Sequence, residues 1–188
     1  MRIVTPMLNI DYPFVYGIIN LIAQQRINQT IYNKVLEMIN QLQYMDIPTY
    51  VSMSYELKTN EKNVLSLSLI GLGDFRGAHP VTLVKSLNFD VNTGKNYTLI
   101  DLFKPGSNYV QVLSDMVAQQ IKQRNIPILD EFKGIRPDQD YYIADRNLIL
   151  YFQQAEITPY AAGIPYFSIL IEDLQDIISD TGLLARMI

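Results

Sequence analysis

Cysteine and tryptophan are absent from these 188 residues, and histidine occurs once, as His79. Without cysteine there are no disulfides, thiolate nucleophiles, Cys-ligated zinc sites or iron–sulfur clusters. A lone imidazole also excludes metal sites that take two or three histidines from one chain, which covers most catalytic zinc geometries. Charge is sparse, at 18% of residues with a formal net of −4, and the 15 Lys and Arg are scattered. Nothing tracks a phosphate backbone or an anionic bilayer, so nucleic acid and membrane surface are not expected partners. No run reaches the ~18 consecutive apolar residues that a span requires. The opening MRIVTPMLNIDYPF carries Pro6 and Asp11 where a signal peptide keeps an unbroken apolar core. The chain thus reads either as not exported as written or as beginning after an export or anchor segment.

What is present builds a core. A hydrophobic content of 48% supports a single α+β unit over 1–188, or two intimately packed halves, 1–75 and 76–188. Arg2 to Tyr12 reads as an edge strand. Ile18 to Leu42 has helical spacing, with Ile27, Ile31, Val35, Met38, Ile39 and Leu42 on one stripe and amides mostly off it. Thr49–Leu57, Val64–Leu72 and Val81–Val91 alternate apolar and polar, which predicts an antiparallel meander with one covered face. Lys58–Asn63 reads as a polar turn, and Gly94 supplies the positive φ of the next one. Thr98 with Asp101 suggests a capped short helical turn, and Ser107 a cap for a helix through Tyr109, Leu113, Met116, Val117 and Ile121. Ile128–Gln139 reads as loop. Tyr141–Ala144 and Leu148–Phe152 form a hairpin, and Tyr166–Ile171 is the last strand before a short terminal helix. The expected class is α+β, a mainly antiparallel sheet of about six to seven strands with two main helices on one face.

Few residues carry chemistry. His79, held extended by Pro80 in a glycine-punctuated loop, reads as a partner-binding imidazole or general base, or as a loop histidine bonded to a neighbouring carbonyl. Any serine triad must use it, and no G-x-S-x-G elbow presents a serine. Asp138 and Asp140 form a D-x-D pair without the remaining ligands of a calcium loop. Glu172 and Asp173 suit the first turn of the terminal helix. Glu156 stands beside Thr158, Pro159 and Tyr160, ahead of Gly163, Pro165 and Tyr166. Glycan sites and protein interfaces both use such mixtures, and loop packing under a tyrosine lid would also account for it. Glycoside hydrolysis would require a second carboxyl ~5–10 Å from Glu156. No cofactor is expected, and oligomeric state is not encoded in any readable way.

Gly77-Ala78-His79, Lys85–Lys95 with Leu99–Phe103, and Tyr151–Gly163 together resemble the extracytoplasmic region of the anti-sigma-V factor (the lysozyme receptor) and the non-catalytic N-terminal part of some peptidoglycan deacetylases. That family is a domain of unknown function. The resemblance implies an α+β cell-envelope module without catalysis of its own, which grips a lysozyme-like protein or a cell-wall glycan. Its contacts would come from Gly77, His79, Glu156, Pro159, Tyr160, Gly163 and Tyr166. Arg76 stands where the family usually has a glycine, and Gln154-Ala155 where it often has Pro-Tyr. Alternatives are a carboxylate-dependent cell-wall glycan hydrolase and a structural or dimerisation domain.

Overall fold

The computed structural model describes residues 1–43, 47–77 and 79–188, in two units, Met1–Asn96 and Tyr97–Ile188. Pro6 and Met7 divide the opening stretch into a hairpin, β1 (Arg2–Thr5) and β2 (Leu8–Asp11). The expectation of a single edge strand is corrected here: β1 takes the edge, and β2 pairs parallel with a later strand that begins at Tyr50. The helix α1 (Leu21–Leu42) begins three residues later than its periodicity suggests. Asn20 sets the start, because its Oδ1 accepts from the N–H groups of Ile22 and Ala23 at 3.1 and 3.2 Å and satisfies orphan donors of the first turn.

Strands β3 (Tyr50–Glu61), β4 (Val64–Asp74) and β5 (Val81–Asp90) form the expected antiparallel meander and complete a five-stranded sheet, β1-β2-β3-β4-β5. The turn between β3 and β4 is only Lys62-Asn63, both at positive φ. Lys58–Glu61 belongs to β3, contrary to its polar composition, because cross-strand pairing with β4 outweighs propensity. A register shift between Leu57 and Thr59 changes the parity of the strand. Val51 and Met53 join Leu65, Leu67 and Leu69, Leu87 and Phe89, and the α1 stripe in one apolar core.

The opposite face of β4 is not solvated, which corrects the expectation of one covered face. Ser66 and Ser68 are buried, with Ser66 Oγ donating to Asn88 Oδ1 at 2.7 Å and Ser68 sharing a 2.9 Å bond with Ser86. A hydroxyl can go inside only with such a partner.

In the second unit, Asp101 accepts from both the N–H and the hydroxyl of Thr98 at 2.8 and 2.6 Å, fixing a 3-10 turn over Leu99–Leu102 as the motif predicts. Helix α2 (Tyr109–Gln123) follows. Asn108 rather than Ser107 is its N-cap residue. Its inward stripe takes Ser114 in place of Met116: Ser114 Oγ donates back to Val110 O at 2.5 Å and accepts from Ile135 N at 3.0 Å, tying down the irregular 128–139 stretch.

Strands β6 (Tyr141–Ala144), β7 (Asn147–Tyr151) and β8 (Tyr166–Leu170) make a three-stranded antiparallel sheet. Among the described residues the strands therefore number eight in two sheets, not about six to seven in one. The predicted terminal helix is reduced to a 3-10 turn, Ile171–Leu174, and Glu172 there pairs with Arg146. No described helix is long and apolar enough to cross a membrane.

Candidate functional site

The segment between β7 and β8 is bonded to itself along most of its length. Ala155 takes a positive φ of 62°, turning the chain so that Glu156 N donates to Gln153 O at 3.1 Å. Glu156 Oε2 accepts from Gln153 N at 2.6 Å, and Oε1 meets the Arg136 guanidinium. Arg136 lies 3.5 Å from Asp138 and 3.8 Å from Asp140, whose carboxylate accepts from Gln153 Nε2 at 2.9 Å. Three carboxylates thus share one cation. With both oxygens engaged, Glu156 fastens the loop to the preceding irregular stretch, and Asp138 and Asp140 face the same guanidinium. Among the described residues no group of three or more acidic or imidazole side chains is arranged to hold a metal ion.

Beyond Glu156, Leu129 N donates to Ile157 O at 2.9 Å and buried Thr158 donates from Oγ1 to Gly163 O at 3.2 Å. A 3-10 turn over Tyr160–Ala162 follows Pro159, closed by Ala162 N to Pro159 O and Gly163 N to Tyr160 O. Gly163, at φ 71° and ψ −151°, occupies a region open essentially to glycine alone. Pro165 O accepts from Phe152 N at 3.3 Å, where the loop re-enters the sheet.

Tyr160 and Tyr166 are 37% and 38% exposed, so each presents a partly covered ring to solvent from an ordered backbone. Tyr166 leans on Tyr151 and Tyr142, at centroid separations of 5.6 and 6.1 Å. Tyr151 is fully buried. Sequence reasoning named Tyr166 without these two neighbours, although period-two alternation through the 142/149 and 151/166 pairings places all three on one face. It also missed Arg136, for which no local signal exists, since its partner Glu156 lies 20 residues away.

Gly77 and His79 belong to the first unit, in the β4–β5 connection, and both are exposed; Ala78 between them lies outside the described residues. Arg76 adopts φ 60° and its N–H donates to Asp74 Oδ1 at 2.8 Å. A Cβ on Gly77 would stand 2.2 Å from Phe75 Cε2, so glycine allows the Phe75 ring to fold over the backbone. Glu156, Pro159, Tyr160, Gly163 and Tyr166 belong to the second unit and share one loop.

A cavity of about 620 Å³ in the second unit is lined by Lys104, Ser107, Tyr109 and Ser179, among others. Ser107 Oγ is buried there and makes no hydrogen bond. Lys104 Nζ donates to Asp176 O at 3.1 Å and lies 3.7 Å from Asp180. Tyr109 stacks on Phe103 at 4.8 Å and donates its hydroxyl to Pro137 O at 2.9 Å. Burial, and then the negative charge of Asp138, hold its phenol above the ordinary value of 10.0.

A DUF3298 family protein from Pseudomonas aeruginosa PAO1 has a TM-score of 0.69 against this structure, at 15% identity, covering 92% of this chain and 84% of that one. A DUF3298 family member from Bacteroides fragilis NCTC 9343 has a TM-score of 0.62 at 16% identity, covering 87% and 68%. These identities speak to the fold. Among curated proteins, the Mycobacterium tuberculosis protein named Esterase Rv3036c is 32% identical over 95 residues, 48% of this chain. The match covers only 41% of that relative's length. Residues 100–172, from the first 3-10 turn of the second unit through its last strand, match the model of a family of proteins of unknown function, DUF3298.

Proposed function

We propose that this chain is a non-catalytic binding or sensory module of a bacterial cell envelope, with the Glu156–Tyr166 loop as its main contact surface and Gly77–His79 as a second contact region. The engagement of both Glu156 oxygens carries this reading: the loop's carboxylate is occupied in holding shape, and what it offers outward is tyrosine on a fastened backbone. Tyrosine gives large contact area at low entropic cost. The resemblance to the lysozyme-receptor family makes a lysozyme-like protein the first partner to try and peptidoglycan glycan the second. Calorimetric titration with lysozyme and with soluble peptidoglycan fragments tests both. Binding weakened about tenfold or more by Tyr160→Ala is the expected outcome, as for an exposed aromatic anchor; absence of heat with either titrant removes the reading.

Hydrolysis is the second reading, favoured by the name of the mycobacterial relative and by the buried, unbonded hydroxyl of Ser107, a residue that lines the cavity. It calls for a base beside the serine, and Lys104, which lines the same cavity, is engaged by Asp176 and Asp180. Turnover of short p-nitrophenyl esters, lost in Ser107→Ala, would establish this reading over the first. Peptidoglycan turnover lost in Glu156→Gln would favour the glycan-hydrolase alternative.

A further inference from the structure

Separate from that loop, the first unit holds an apolar groove. Along β3, Tyr55 and Leu57 continue the row that Val51 and Met53 begin under α1, yet they are 45% and 58% exposed. The groove they open measures about 460 Å³, inside the range of small-molecule sites. Its floor includes Leu65 and Leu67, and its opposite wall is the 13–18 segment, with Phe14 and Tyr16.

That wall is fixed in place. Asn28 on α1 accepts from Val15 N at 2.8 Å and donates to Val15 O at 2.7 Å, and Gln24 accepts from Ile18 N at 3.2 Å. The register shift after Leu57 turns Thr59 to the Ser66 side and brings Asn60 opposite Leu65, so an amide stands in the lining where the unshifted strand would place Thr59. No lining residue is an acid, a lysine, an arginine or a histidine.

We infer that this groove binds a single aliphatic chain with an uncharged, hydrogen-bonding end, and that Asn60 meets that end. The lack of charge matches a hydrocarbon and leaves a charged peptide unpaired. A cavity of about 150 Å³ takes benzene, so this groove holds roughly 18 carbon atoms. An α-helix is 10–12 Å across with its side chains, and one turn of it would fill about the whole space, which leaves no length for a helical partner. Burial of the chain against Leu57, Leu65 and Leu67 supplies the driving force.

The test titrates the full chain with 1-dodecanol and with dodecanoate below micellar concentrations, read by calorimetry and by tyrosine fluorescence. Saturable one-to-one binding of dodecanol is expected, with dodecanoate weaker. Leu57→Glu, at an exposed position, should weaken dodecanol about tenfold or more while thermal melting is unchanged. Leu36→Glu, exposed on α1 and outside the lining, should leave binding as it was. Failure of both probes to saturate overturns the assignment, as does equal binding by wild type and Leu57→Glu. Light scattering that shows a concentration-dependent dimer dissolved by Leu57→Glu also overturns it, since a second copy would then be the occupant.

Discussion

Two glycines show how far a single residue can be read. The Asn-Thr-Gly-Lys turn predicts a positive φ at Gly94, which has φ 73°. The same position is also a close approach: a Cβ there would lie 2.7 Å from Ala23 O and 2.9 Å from Ala23 Cα on α1. Gly94→Ala therefore meets both a left-handed backbone and rigid helix atoms, and should cost about 2–4 kcal/mol in a urea melt. Gly163 has no atom within 4 Å of its Cβ position, so only the backbone term applies, about 1–3 kcal/mol. The turn chemistry was legible because it is local. The contact with Ala23 was not, because 71 residues separate the two positions. Glu156 gives the same lesson with a side chain, whose neighbours Thr158 and Tyr160 were visible while its guanidinium partner was not.

Among the elements, β8 shows how the second unit manages an open edge. Its outer carbonyls at Ser168 and Tyr166 accept from Gln120 Nε2 at 2.8 Å and from Arg124 at 2.7 Å, so α2 covers the row that β7 leaves unpaired. The Arg124 guanidinium also lies 5.5 Å from the Phe167 ring centroid. Arg124→Ala should lower stability by about 1–2 kcal/mol, and Arg124→Lys should recover only part of it because the planar fork is lost. Chemical denaturation of the three proteins measures this. Apolar periodicity placed α1, α2 and the six strands from β3 to β8 to within a few residues. It failed for the β1–β2 hairpin, whose turn has no glycine or asparagine, and for the far half of β3, whose polar residues stay in the ladder through their backbone.

For the whole molecule, alkaline pH is the informative variable. Tyr109 is 6% exposed, its folded pKa lies above the unfolded value near 10.0, and the unfolded chain therefore releases the phenolic proton first. Its contribution to stability is complete below about pH 10 and is lost as pH rises through the folded pKa. Melting of wild type against Tyr109→Phe, followed from pH 8 to pH 11, should show a steeper alkaline decline in wild type.

By itself the sequence determined the α+β class, the meander, the capped turn at Thr98 and the exclusion of thiol and multi-histidine chemistry, because those follow from composition, periodicity or pairs a few residues apart. Only the tertiary structure decided that β2 lies parallel to β3, that Ser66 and Ser68 go inside, that Glu156 is tied to Arg136, and that Leu57 borders an open groove. Each of those depends on which distant segment arrives alongside. That outcome is set by the closing of long loops and the fit of packed surfaces, which no residue carries in its own neighbourhood.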